Sequence, residues 1–139
     1  MTLSIIALTP GVITTKVPGS KSIVWPVYAT HGVADVPRLD VLFVPGGSDT
    51  GTDGWIEEFV KERFGETGIV ASVCTGAQRL ARAGVLEGKR ATTNKFLFNS
   101  VSRDGVNVTW VSTARWVRDG KIWTSSGVAA GKFGLFDGA

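Results

Sequence analysis

Apolar residues along the chain fall into short runs separated by glycine, proline and polar clusters. Leu3–Leu8 ("LSIIAL") reads as a buried strand closed by Pro10-Gly11, and the polar segment up to Ser22 reads as a loop. "SIVWPVYATHG" predicts a short edge strand, because Pro26 has no amide to give to a central ladder. The clearest strand is "DVLFVPGG": the apolar run Val41–Val44 is halted by Pro45-Gly46-Gly47. A continuous run implies burial on both faces, as in a parallel sheet. In "TDGWIEEFVKERFG" the period changes. Trp55, Ile56, Phe59, Val60 and Phe64 share one helical face, with Glu57, Glu58, Lys61 and Glu62 mostly opposite and solvated. Thr52 or Asp53 would cap this helix and Gly65 would end it. "GIVASV" is a second buried strand, so the span forms a βαβ unit.

The pattern continues with a short helix from Gly76 to Ala83, with Ala77, Leu80 and Ala81 inward and Gly84 as the residue beyond its end. "EGKRATT" leads into a strand and "NKFLFNSVS" reads as helical. "VNVTWV" is a strand, and "RWVRDGKIWTSS" is a hairpin turning at Asp119-Gly120. The tail "GVAAGKFGLFDGA" starts like a helix, but its glycines weaken it.

Composition narrows the class. The 139 residues fit one domain, and 43% apolar with 19% charged residues describes a globular chain. The net charge of +3 comes from scattered basic residues. Arg79, Arg82, Lys89, Arg90, Lys95 and Arg103 read as a solvated basic face, and no nucleic-acid motif accompanies them. Trp110, Trp116 and Trp123 lie on predicted strands and read as core or dimer contacts. No segment reaches transmembrane length, no Cys/His cluster suggests a metal, and "GGSDTGTDG" lacks the lysine of a phosphate-binding loop. A single cysteine, the absence of a signal-peptide pattern and of any membrane span make a cytoplasmic protein the expectation, without nucleic-acid or membrane partners and without a cofactor.

That cysteine, Cys74, sits between a buried strand and a helix, in the small-residue setting Ser72-Val73-Cys74-Thr75-Gly76. This is the cysteine version of a nucleophile elbow: the turn is sharp, bulky neighbours would clash, and the sulfur is lifted to the carboxyl edge of the sheet. The amides and dipole of the following helix favour the thiolate, which is the nucleophilic form. The alternative is an inert buried thiol. The Gly46-Gly47 pair ends the preceding parallel strand, so both loops are expected at one sheet edge, where ligands bind. There the amides of Gly47 and Thr75 would hold a developing negative charge. Gly46, Gly76 and Asn94 complete the expected oxyanion- and substrate-binding set. His31, the only histidine, reads as a surface or loop residue.

Together, "DVLFVPGG", "VASVCTGAQRLARAGVLEGKRATT" and "WTSSGVAAG" resemble the ThiJ/PfpI superfamily, glutamine amidotransferase-like proteins with a cysteine nucleophile. The string around Cys74 is most similar to the isocyanide hydratase-like branch. The resemblance spans about Leu3 to Gly131 and carries over Cys74, the Gly47 amide and Thr75. It implies an α/β fold, a flavodoxin-like three-layer sandwich with a mostly parallel sheet, usually dimeric. The chain departs from the pattern in three places. No counterpart exists for the acidic residue near the cysteine, Asn94-Lys95 stands where many relatives carry His-Trp, and "KFGLFDGA" replaces a long helix. The expectation is an incomplete domain over residues 1–139, short of its first strand and last helix. Asn94 can orient a substrate, but it cannot act as a base. Two functions follow. One is a cysteine-dependent hydratase or hydrolase, an isocyanide hydratase-like lyase, acting on a small electrophilic molecule as a homodimer. The other is a degenerate, non-catalytic or redox-sensing member that serves as a binding or dimerisation module.

Overall fold

The computed structural model describes residues 2–16, 24–47 and 54–131. The chain separates into two compact units, Met1–Arg38 and Leu39–Ala139. In the first, β1 (Ile6–Ala7) runs parallel to β4 (His31–Gly32), and β2 (Gly11–Lys16) pairs antiparallel with β3 (Val24–Ala29). The strand expected over Leu3–Leu8 shrinks to two residues, with Leu3 and Leu8 exposed. Among the described residues its partner is β4, which is equally short, so the ladder ends where β4 ends. Gly11–Lys16, expected within a loop, is a strand instead. Its β-branched stretch Val12-Ile13-Thr14-Thr15 suits a pleated backbone, and β3 supplies the partner. Pro26 lies opposite Thr14 in this two-stranded sheet, where every strand is an edge, as its missing amide requires. His31 stands in β4 rather than in a loop, with Nδ1 2.9 Å from Thr30 Oγ1. The tail after Gly131, the segment 17–23 and the caps Thr52 and Asp53 lie outside the described residues.

The second unit is built on β5 (Val41–Val44), α1 (Trp55–Arg63), β6 (Ile69–Val73), α2 (Gly76–Arg82), β7 (Arg90–Ala91), α3 (Phe98–Val101), β8 (Thr109–Trp110), β9 (Trp116–Asp119) and β10 (Ile122–Ser125). Its main sheet has the order β5-β6-β10-β9; the first three strands are parallel and β9 is antiparallel. β7 and β8 form a short parallel pair of their own. The β5–α1–β6 unit follows the hydrophobic pattern. The β9–β10 hairpin turns where expected, with Gly120 at φ +61°.

Register fixes which residues share a face. Leu42 and Val44 pair with Val70 and Ser72, which pair in turn with Ile122 and Thr124, and all six are buried. On the opposite face Ala71, Val73 and Trp123 are buried, but Val41 and Phe43 are about half exposed. The run Val41–Val44 therefore alternates instead of being buried on both faces. β5 is the edge of this sheet, so its outer face lacks the cover a central strand receives.

α2 buries Ala77, Leu80 and Ala81 as predicted, and Gly84 follows it at φ +78°, its amide returning to Ala81 O. α1 buries Phe59 and Val60. Gly65 does not cap it. Instead the last carbonyl, Arg63 O, accepts from the Thr67 amide at 3.2 Å and the Thr67 hydroxyl at 2.8 Å. Lys121 Nζ, from the β9–β10 turn, donates to Phe64 O and, at 3.1 Å, to Thr67 O. α1 packs on α2, and this moves Glu57 off the solvated face the sequence assigns it. Glu57 Oε1 meets Arg79 Nη1 at 2.6 Å, with both side chains only 13% exposed. Arg82 pairs with Asp104 and Lys89 with Asp119, so Arg79, Arg82 and Lys89, three of the six basic residues, face an acid.

Candidate active site

The chain reverses from β6 into α2 at Cys74, which has φ +59°. For a residue with a Cβ the left-handed region costs roughly 1–2 kcal/mol, so the surroundings must impose it. They do so from several sides. The Cys74 amide donates to Ser125 O on the neighbouring strand at 2.9 Å. The Cys74 carbonyl accepts from Thr93 Oγ1 at 2.9 Å. The sulfur accepts from Asn94 Nδ2 at 3.1 Å. The Asn94 amide cannot be turned round without loss, because its Oδ1 already accepts the Leu97 amide at 3.0 Å. A nitrogen donor is therefore held against Sγ. Cys74 itself is partly accessible.

The glycines explain how close the two loops come. A Cβ on Gly46 would lie 2.7 Å from Cys74 Cβ and 3.0 Å from both Thr75 N and Val73 O. Gly46 is thus the residue that lets the β5 loop reach the elbow. A Cβ on Gly76 would lie 2.3 Å from Val44 O and 3.0 Å from Pro45 O. Gly76 is buried, and its role is the packing of α2 onto the end of β5.

Thr75 and Gly47 meet as the sequence predicts, but through the side chain. The Gly47 amide donates to Thr75 Oγ1 at 3.0 Å, and the Thr75 hydroxyl donates to Gly47 O at 2.8 Å. The Gly47 donor is engaged in this state. Among the described residues no acceptor takes the Thr75 amide, which lies beside Gly46. The structure thus brings Cys74, Gly46, Gly47, Thr75, Gly76 and Asn94 together at one edge of the sheet.

Sequence reasoning missed Thr93, fully buried behind the elbow, and the carbonyl of Ser125. "RATT" stands out in the sequence as part of a pattern, and nothing in the string tells which threonine faces the cysteine. Lys95, next to Asn94, bonds Thr92 Oγ1 and Ala114 O, and burial holds its amine below the usual lysine range. Among the described residues no group of three or more His, Cys, Asp or Glu could hold a metal, and no helix is long and apolar enough to cross a membrane.

Known proteins are similar to this chain in sequence and in fold. The model of the DJ-1/PfpI family matches residues 3–135. An isonitrile hydratase of Pseudomonas putida is 38% identical over 100 residues, 70% of this chain and 42% of that protein. A deglycase of Pyrococcus abyssi is 39% identical over 94 residues, 66% of this chain and 54% of its own length. This chain spans about half the length of these curated relatives. Among solved structures, a ThiJ/PfpI family protein from Pseudomonas syringae superposes with a TM-score of 0.73 at 28% identity, covering 96% of this chain and 54% of that one. A DJ-1 superfamily protein from Agrobacterium tumefaciens gives 0.76 at 19% identity, covering 97% and 72%, a likeness of fold. The α/β architecture is the flavodoxin-like one.

Proposed function

Because the chain belongs to the DJ-1/PfpI family, we propose that Cys74 is a nucleophile toward a small electrophilic molecule, in a hydratase-like reaction. One observation carries this reading: the sulfur stands on a left-handed elbow, partly open to solvent, with an amide donor fixed against it. A buried structural thiol needs neither the backbone distortion nor the orienting asparagine.

An isocyanide is the electrophile this reading takes as substrate. The Cys74 sulfur bonds to the terminal carbon, which also gains a proton, giving a thioimidate. Water adds to that carbon, and in this reading the Thr75 amide, which no described acceptor takes, holds the oxygen of the tetrahedral adduct. The carbon–sulfur bond then breaks, the thiol recovers its proton, and an N-substituted formamide leaves. The net change is the addition of one water. Asn94 orients the sulfur and carries no proton, so protons pass through solvent. The test is formamide production from an aryl isocyanide by the wild type and by Cys74→Ser. The expected result is turnover in the wild type and a loss of roughly 10³-fold or more in the variant. Equal rates in both, or none in a folded wild type, would end the hydratase reading.

A second reading has its own observation. The Gly47 amide, the other expected charge-stabilising donor, is satisfied by Thr75 Oγ1. With that donor occupied, less remains to hold a developing oxyanion, while the partly accessible sulfur can still be oxidised. Dilute peroxide would then add two oxygens to Cys74, visible by mass spectrometry, in a chain inactive toward isocyanides. We also infer self-association, because Val41 and Phe43 on one edge strand of the sheet, β5, and Trp116 on the other, β9, are substantially exposed. Light scattering that finds only monomer across the accessible concentration range would exclude it.

A further inference from the structure

We propose that Thr93 is a positioning residue for Cys74. The Thr93 hydroxyl donates to the Cys74 carbonyl at 2.9 Å, and the side chain is fully buried behind the elbow. That carbonyl belongs to the one residue of the turn whose φ is +59°. Rotating its peptide plane relaxes the backbone and swings the Cα–Cβ bond that carries the sulfur. The Ser125 carbonyl holds the preceding side of the residue through the Cys74 amide. Thr93 holds the following side. The next residue in sequence, Asn94, holds Sγ itself. Two consecutive residues thus fix the carbonyl and the sulfur of one cysteine, and loss of the first loosens what the second is aimed at. Misplacement of a reacting group by about 1 Å is enough to cost up to roughly 10²-fold in rate.

This inference rests on Cys74 being the reacting group of the proposed function. Its test is alkylation of Cys74 by iodoacetamide in the folded protein, which is read without any turnover. Thr92 provides the control. It is equally buried, and its hydroxyl bonds Val111 O at 2.9 Å, Ala114 O at 3.2 Å and Lys95 Nζ at 3.0 Å instead of the elbow. Thr93→Val is expected to alkylate about tenfold more slowly than the wild type. Thr92→Val is expected to lose comparable thermal stability while alkylating at the wild-type rate. Thr93→Ser keeps the hydroxyl and is expected within about twofold of the wild type. Equal slowing in both valine variants would mean general loosening and would overturn the proposal, as would an unchanged rate in Thr93→Val. If Thr93→Val does not fold, Thr93→Ser decides: a tenfold loss there assigns the effect to side-chain shape and sinks the hydroxyl's role. Where isocyanide turnover is measurable, Thr93→Val lowers kcat more than it raises KM. If turnover is absent from the wild type while the alkylation pattern holds, the hydratase reading fails and the positioning role stands.

Discussion

The elbow of the second unit and the β2–β3 pair of the first solve opposite problems. At Cys74 one unfavourable backbone conformation is surrounded by partners on its amide, its carbonyl and its side chain. In the β2–β3 pair the backbone is ordinary and the ladder is six residues long, yet Val12, Trp25 and Tyr28 stand more than 60% exposed. The described apolar residues buried in that unit are Ala7, Ala29 and Val36, all small or medium-sized. Backbone pairing alone stabilises a two-strand ribbon marginally. The lesson is that local order in this chain follows the number of independent constraints on a residue, more than the regularity of its secondary structure.

One added methyl group at the crowded side of the elbow should destabilise the chain most. Gly76→Ala places a Cβ 2.3 Å from the Val44 carbonyl, and backbone cannot step aside as a flexible side chain can. A stability loss of about 3 kcal/mol or more is expected in urea titration, with a falling yield of folded protein. A loss under 1 kcal/mol would mean that α2 and β5 separate easily.

The next effect isolates the strain itself. Cys74→Gly and Cys74→Ala both remove the sulfur, but only glycine takes φ +59° without penalty. Cys74→Gly should be about 1 kcal/mol more stable than Cys74→Ala, after allowing for the greater flexibility of glycine in the unfolded chain. If alanine is the more stable of the two, the elbow is not held under strain.

The smallest effect lies at the other pole. Trp25→Ser and Val12→Thr should change stability by about 0.5 kcal/mol or less, because little burial is lost. Native-state hydrogen exchange should show β2–β3 amides opening far more readily than those of β6, whose residues from Val70 to Val73 are all buried. Slow exchange in both would erase the contrast.

The elements that the sequence makes legible are those determined by neighbours in the chain. The alternation between apolar runs and Pro-Gly-Gly or Asp-Gly stops marks β5, α1, β6, α2 and the final hairpin. The small residues around Cys74 mark the elbow. What was hidden depends on segments distant in sequence. Glu57 looks solvated until α1 is laid on α2 and Arg79 arrives. Val41 and Phe43 look buried until β5 proves to be an edge. Thr93 looks like any strand threonine until its hydroxyl is found on a carbonyl 19 residues earlier. Thr75 shows the finer limit. Its closeness to Gly47 is foreseeable, whereas its choice of hydroxyl over amide for that contact is a matter of rotamer.

Lys121 carries one more consequence. A single ammonium, reaching from a hairpin bend, ties down two carbonyls of the segment just past the end of α1, more than fifty residues earlier. Reagents that neutralise amines, including the cyanate that accumulates in old urea, would untie both places at once. A denaturation curve recorded in such a solution would then describe a chemically altered chain.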